Sequence, residues 1–177
     1  MFKKMSVICL SIVISGNVFA DINKGVYIGV GSGMTENQAQ TYQATAGYMF
    51  SNWYGAELNY VYINNYQLAS NNQNINSTAI NGLFVLNQQL GSSPINIHEK
   101  AGISYINMNL PNNYQNGSGF TSLLSGGVGL YLGKSMEIAV DYTYYGLVQP
   151  INYISTINNQ TNNFQTQTYQ INLNYYF

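Results

Sequence analysis

The chain is short of charge. Asp, Glu, Lys and Arg together make up 6% of its 177 residues, against roughly 25% in ordinary soluble domains. Arginine is absent and lysine occurs five times, so there is no basic surface for nucleic acid, and none is expected as a partner. Long apolar runs are missing too. No stretch approaches the roughly 20 apolar residues that a membrane-spanning helix requires, which excludes a helical membrane protein. Low charge without aromatics would indicate disorder. Here 17 Tyr, 7 Phe and 1 Trp supply the apolar surface that folding needs. Cysteine occurs once, as Cys9.

Residues 1–20 read as an export signal. Lys3 and Lys4 precede a short apolar stretch from Met5 to Ile14, and Val18 and Ala20 occupy the −3 and −1 positions of a signal-peptidase site before Asp21. Cys9 leaves with this segment, and no small residue precedes it as lipidation would require. Residues 21–177 are then expected to form one domain without thiols, hence without disulfides or thiolate metal sites.

From Gly25 onward the apolar pattern has period two, the signature of strands. Val26, Ile28 and Val30 form one face of the first strand, Ala46, Tyr48 and Phe50 one face of the second, and Ala56, Leu58, Tyr60 and Tyr62 one face of the third. Further alternating segments cover about 78–87, 95–107, 122–132, 136–144 and 169–177, making eight. In the fourth, Leu83 and Val85 share a face with Asn81, so its facing is ambiguous. The connections at 51–52, 88–94 and 133–135 are short, whereas those at 33–41, 64–77, 108–121 and 146–166 are long and rich in Asn, Gln, Ser and Gly.

Short turns on one side, long loops on the other and strands of about 9–11 residues define a bacterial outer-membrane barrel. An open sheet edge in lipid would leave unpaired backbone groups costing several kcal/mol each, so the sheet must close. The expected fold is therefore all-β, an eight-stranded antiparallel up-and-down transmembrane β-barrel in the Gram-negative outer membrane. A soluble sandwich also alternates, but its polar face would carry Lys and Glu; here that face is Gly, Asn, Thr, Ser and Gln. Trp53, Tyr54, Tyr62, Tyr66, Tyr144, Tyr145, Tyr175 and Phe177 lie near strand ends and are assigned to aromatic girdles.

Ala46-Gly-Tyr-Met-Phe-Ser-Asn-Trp-Tyr-Gly-Ala-Glu-Leu-Asn-Tyr60 resembles the second hairpin of the OmpA transmembrane domain and of the OmpX and Ail type of small barrel. Gly126-Gly-Val128 and the terminal Phe177 are similar to further features of that family. The resemblance implies an inward glutamate at Glu57, a basic position at Lys100 and an acidic one at Asp141. It also implies that Phe177 is read by the barrel-insertion machinery. Ala139 stands where the family carries an inward arginine, and the chain stops at Phe177 where OmpA continues into a peptidoglycan-binding domain, so cell-wall tethering is not expected.

Glu57, Lys100 and Asp141 each fall about five residues above a short turn, on the face assigned to the lumen. Lys100 is expected to bridge the two carboxylates, because buried charges are costly unless paired. Glu137 and Lys134 are read as solvated. Glu99 points outward by alternation, at a headgroup level where a charge costs only about 0–1 kcal/mol, unless a bulge intervenes. His98 has no visible catalytic partner and no set of His, Cys or carboxylate ligands for zinc, so no cofactor or metal is expected. Lipid A deacylases carry a serine two residues after a histidine, and that position is Lys100 here. The glycine runs at 29–33 and 126–129 lack the Lys-Ser/Thr and helix context of a phosphate loop.

These features predict a small, monomeric, non-enzymatic barrel, surrounded by outer-membrane lipid and lipopolysaccharide. Its role is envelope-structural, or else adhesin-like through external loops that meet a host or cell-surface ligand. A narrow pore for small solutes is the alternative, and a lipid A-modifying enzyme comes third.

Overall fold

The computed structural model describes residues 25–67, 74–110, 114–115, 117–146, 151–155 and 161–177. The expected signal segment, 1–20, lies outside them. Period-two alternation becomes β1 (Gly25–Thr35), β2 (Gln40–Met49), β3 (Tyr54–Gln67), β4 (Asn74–Gln89), β5 (Ile95–Asn109), β6 (Tyr114–Gln115), β7 (Ser118–Leu132), β8 (Met136–Tyr145), β9 (Ile151–Ser155), β10 (Thr161–Phe164) and β11 (Thr166–Tyr176). The eight long strands form a closed barrel in the order β1-β11-β8-β7-β5-β4-β3-β2. Neighbouring strands are antiparallel, and β1 closes on β11 with Tyr27 opposite Tyr176 and Thr35 opposite Thr168. Among the described residues the barrel leaves no edge strand unpaired, as a lipid solvent demands.

The faces are inverted relative to a water-soluble protein. Ile103 and Phe120 are 64% and 63% exposed, while Thr41, Ser104 and Thr168 are fully buried. In water so continuous an apolar exterior would mark an interaction surface; around a closed barrel it is the lipid-facing band. The fourth strand takes one facing throughout: Ala79, Asn81, Leu83 and Val85 point inward, and Ile80, Phe84 and Leu86 outward. Glu99 is exposed between Ile97 and Ala101, and the pairing of β5 with β4 and β7 is unbroken there, so no bulge turns it.

The loops are shorter than their composition suggests. β1 and β2 leave four residues, 36–39, between them, and β3 and β4 run far into 64–77. Asn and Gln are poor strand formers, but in a barrel the neighbouring strands satisfy their backbone groups. Segment 146–166 contains β9 and β10, which with β6 make a three-stranded sheet at the long-loop end. At the other end the turns are tight, and Gly133 supplies a left-handed φ of 79° between β7 and β8.

Two of the residues assigned to girdles face inward instead. Tyr66 is 6% and Tyr145 1% exposed. Strict alternation would put Tyr66 outside with Tyr62, but the pairing shifts between Ile63/Ser77 and Tyr66/Ile75, where three residues of β3 span two of β4. Asn65 takes a left-handed φ of 59° at this bulge, and the parity flips. Tyr145 follows Tyr144 directly, so the two cannot share a face. Tyr144 and Tyr62 are half-buried, while Trp53, Tyr54, Tyr175 and Phe177 are exposed at the short-turn end.

The lumen is filled in two layers. Towards the long-loop end it is apolar, with Val61, Ile63, Ile75, Leu83, Ile106 and Leu123 packed together. Phe164, at the end of β10, closes this layer, its ring 5.1 Å from that of Tyr66. Towards the short-turn end the lumen is polar.

Candidate functional site in the barrel lumen

Three strands bring Glu57, Lys100 and Asp141 together. Lys100 Nζ lies 3.2 Å from both carboxylate oxygens of Glu57 and 3.5 Å from Asp141 Oδ2. All three side chains are within a tenth of full burial. Every remaining acceptor of the pair is also engaged. Glu57 accepts from Tyr27 Oη at 2.6 Å and from Asn59 Nδ2 at 2.7 Å, and Asp141 accepts from Asn172 Nδ2 at 2.6 Å. A buried ion pair persists only when such additional bonds satisfy it.

Glycine on an intervening strand makes these contacts. Tyr27, Gly47 and Glu57 are aligned across β1, β2 and β3. A Cβ on Gly47 would overlap the Tyr27 ring; without one, the phenol lies over β2 and reaches Glu57. The same device recurs across β5, β7 and β8, where His98, Gly127 and Asp141 are aligned. His98 Nε2 meets Asp141 Oδ1 over Gly127, where a Cβ would collide with both. Removing the phenol hydroxyl in Tyr27→Phe is expected to cost about 1.5–3 kcal/mol, the worth of a hydrogen bond to a charged group, measured by urea unfolding of the refolded barrel.

Sequence reasoning missed two members of this site. His98, read as partnerless, holds Asp141; its parity with Lys100 was the available signal. Glu137, read as solvated at the rim, is 2% exposed. Alternation puts it on the same face as Asp141, and that face is the lumen even one residue from the turn. Glu137 Oε2 accepts from Tyr176 Oη at 2.7 Å and Asn174 Nδ2 at 2.9 Å, and Oε1 accepts from Asn96 Nδ2 at 2.7 Å. Tyr27, Met49, Tyr131 and Tyr176 collar this lower group at the mouth. Ala139, where the resembling family has arginine, is buried.

A closed eight-stranded barrel with an apolar exterior and a hydrogen-bonded polar lumen defines a small integral outer-membrane protein. The chain belongs to the outer membrane protein beta-barrel domain family, which it matches over residues 6–177. No curated protein sequence matches it. Among solved structures it is similar to the N-terminal β-barrel domain of Pseudomonas aeruginosa OprF, at 12% identity over 88% of this chain and 98% of that one, with a TM-score of 0.62. It is similar to the attachment invasion locus protein Ail of Yersinia pestis, at 10% identity over 87% and 99%, with a TM-score of 0.53. The outer membrane enzyme PagL is also similar, at 14% identity over 85% and 99%, with a TM-score of 0.53. These likenesses show the fold. The chain is a Gram-negative outer-membrane protein, so its short turns face the periplasm and its long connections the exterior.

Proposed function

We propose that this barrel is sealed and non-enzymatic, a monomer that serves the envelope as a structural element and meets other surfaces through its external connections. The observation that carries this reading is the filled lumen. Two cavities of about 10 and 20 Å³ adjoin the Lys100 cluster, each with room for about one water, and above them the apolar layer closes under Phe164. Eight strands leave an interior just wide enough for side chains to fill.

The enzyme reading has little to build on. His98 is occupied by Asp141 inside the lumen and is buried, away from both the lipid face and the exterior. The pore reading requires two separate movements, displacement of Phe164 and release of Lys100 from at least one carboxylate.

The external connections have a distinctive chemistry. Segments 64–77, 108–121 and 146–166 contain no charged residue, and 33–41 contains Glu36 alone. Contacts made there rest on amides, hydroxyls and aromatic rings. This favours uncharged, hydrogen-bonding ligands such as glycans, and binding that is insensitive to salt. In this reading residues 1–20 are removed on export and Phe177 addresses the chain to the barrel-insertion machinery. Refolding residues 21–177 into liposomes and measuring osmotic swelling in small sugars tests the seal: rates equal to protein-free liposomes are expected, and solute-dependent swelling would refute it.

A further inference from the structure

One charge of the barrel strands is on the outside. Glu57, Lys100, Glu137 and Asp141 are buried in the lumen, whereas Glu99 is exposed on the lipid-facing side between Ile97 and Ala101. A charge in contact with lipid is rare, costly unless paired, and read first as a binding site. Yet among the described residues no ion pair reaches Glu99. The chain has no arginine. Of the described lysines, Lys100 is inside the barrel and Lys134 lies beyond Leu132, the last residue of β7. Glu99 is opposite Gly126, and the strand from Gly126 to Leu132 already spans about 20 Å, beyond the reach of either side chain. The cation for Glu99 has to come from outside these residues.

The surroundings select its source. Glu99 is the fifth of the fifteen residues of β5, counted from the short-turn end, which places it in the periplasmic half of the exterior. Tyr54, Leu86, Glu99 and Gly126 are aligned across β3, β4, β5 and β7. One step towards the periplasm, Gln88 is opposite Ile97 and therefore diagonal to Glu99. The Trp53 carbonyl accepts from Asn87 N at 2.8 Å, which ties the β2–β3 turn to the end of β4. Trp53 and Tyr54 are exposed. An indole N–H, a phenol and a carboxamide, all neutral donors, thus flank the carboxylate on its periplasmic side, at the level where aromatic side chains meet headgroups. Elsewhere the wall beside it is low. Ala101 follows Glu99 on the same face, and a Cβ added to Gly126 would find only the His98 carbonyl oxygen, at 3.8 Å.

We propose that Glu99, flanked by Gln88, Trp53 and Tyr54, binds the primary ammonium headgroup of an ethanolamine-type phospholipid in the periplasmic leaflet. The carboxylate takes the ammonium, the neutral donors take the phosphate, and an acyl chain lies over Ala101 and Gly126. An ammonium keeps N–H donors for a charge-assisted bond to the carboxylate, which a trimethylated choline headgroup lacks. A headgroup of net negative charge is repelled by Glu99, with no cation beside it to offset the repulsion. One lipid held there fixes the depth of the barrel in the leaflet. The site is outside the wall, so it does not depend on whether the lumen is sealed.

Native mass spectrometry of refolded residues 21–177 tests this, after release from bilayers holding equal amounts of ethanolamine, choline and glycerol phospholipids with identical acyl chains. The wild-type chain is expected to retain the ethanolamine lipid over the choline lipid by about fivefold, the upper end for an exposed ion pair, and the glycerol lipid least. Mono- and dimethylated ethanolamine lipids should fall between, in the order in which N–H groups are lost. Glu99→Gln removes a charge from the lipid face and so folds at least as readily; it should retain the ethanolamine and choline lipids alike. Effects of the headgroups on the bilayer as a whole act on both chains and cancel in the comparison. Equal retention of the ethanolamine and choline lipids by the wild type, or a preference for the glycerol lipid, would overturn the site. An ethanolamine preference that survives in Glu99→Gln would place the lipid elsewhere and overturn it equally.

Discussion

Replacing Lys100 with alanine is expected to lower the unfolding free energy by about 3–5 kcal/mol, the cost of removing one partner from a buried pair. Glu57 and Asp141 would face each other across the lumen with Tyr27, Asn59 and Asn172 still donating to them, but with the shared ammonium gone. The penalty belongs to the charges left behind rather than to the lost contacts. A triple variant, Glu57→Gln, Lys100→Met and Asp141→Asn, should therefore recover much of the loss, since a neutral replacement often stabilises as well as the buried ions do. Equilibrium urea unfolding in micelles measures both. An unchanged midpoint in Lys100→Ala would show that the cluster contributes nothing to the fold.

Gly127→Ala is the second large effect. The added Cβ meets Asp141 Oδ1, His98 Nε2 and the carbonyl oxygen of Val140, and the last of these is backbone and cannot step aside. Overpacking alone costs about 1–3 kcal/mol. Parting the buried His98 and Asp141 adds to it, so the total should reach about 3–5 kcal/mol. Gly126, its neighbour, faces outward, and the nearest atom to a Cβ there is the His98 carbonyl oxygen at 3.8 Å. Gly126→Ala is the control, and its midpoint should stay close to that of the wild type. Equal losses in the two variants would mean that glycine serves the strand rather than the side chains that cross over it.

The barrel was legible because its physics is written with period two. Val26, Ile28 and Val30 on one face, repeated in kind over eight segments, fix strand number and facing, and the closed sheet follows from lipid as solvent. Alternation also carried Glu57, Lys100 and Asp141 to a common interior. It failed where parity changes: a single extra residue at Asn64-Asn65 moves Tyr66 from the lipid face to the lumen, and no local composition announces the bulge. Tyr145 and Glu137 were misread for a different reason. Position near a strand end was allowed to outweigh parity, although adjacent tyrosines must face opposite ways and a lumen-facing carboxylate stays inside up to the turn. The contact of His98 with Asp141 depends on strand register across β5, β7 and β8, which the sequence of a single chain does not state. β10, Thr-Asn-Asn-Phe, was hidden by its Asn-rich composition, which marks turns in water but is tolerated where neighbouring strands satisfy the backbone, and β9 by being only five residues long.

The central claim is that the lumen is closed by the Lys100 cluster below and the Phe164 layer above. Single-channel recording across a planar bilayer, after heat-modifiable gel migration has confirmed insertion of refolded residues 21–177, tests it most directly. The filled lumen predicts an electrically silent membrane under applied voltage in both orientations. Steady unitary current steps from the wild-type chain, reproducible between insertions, would contradict it and make Glu57, Lys100 and Asp141 the wall of a pore.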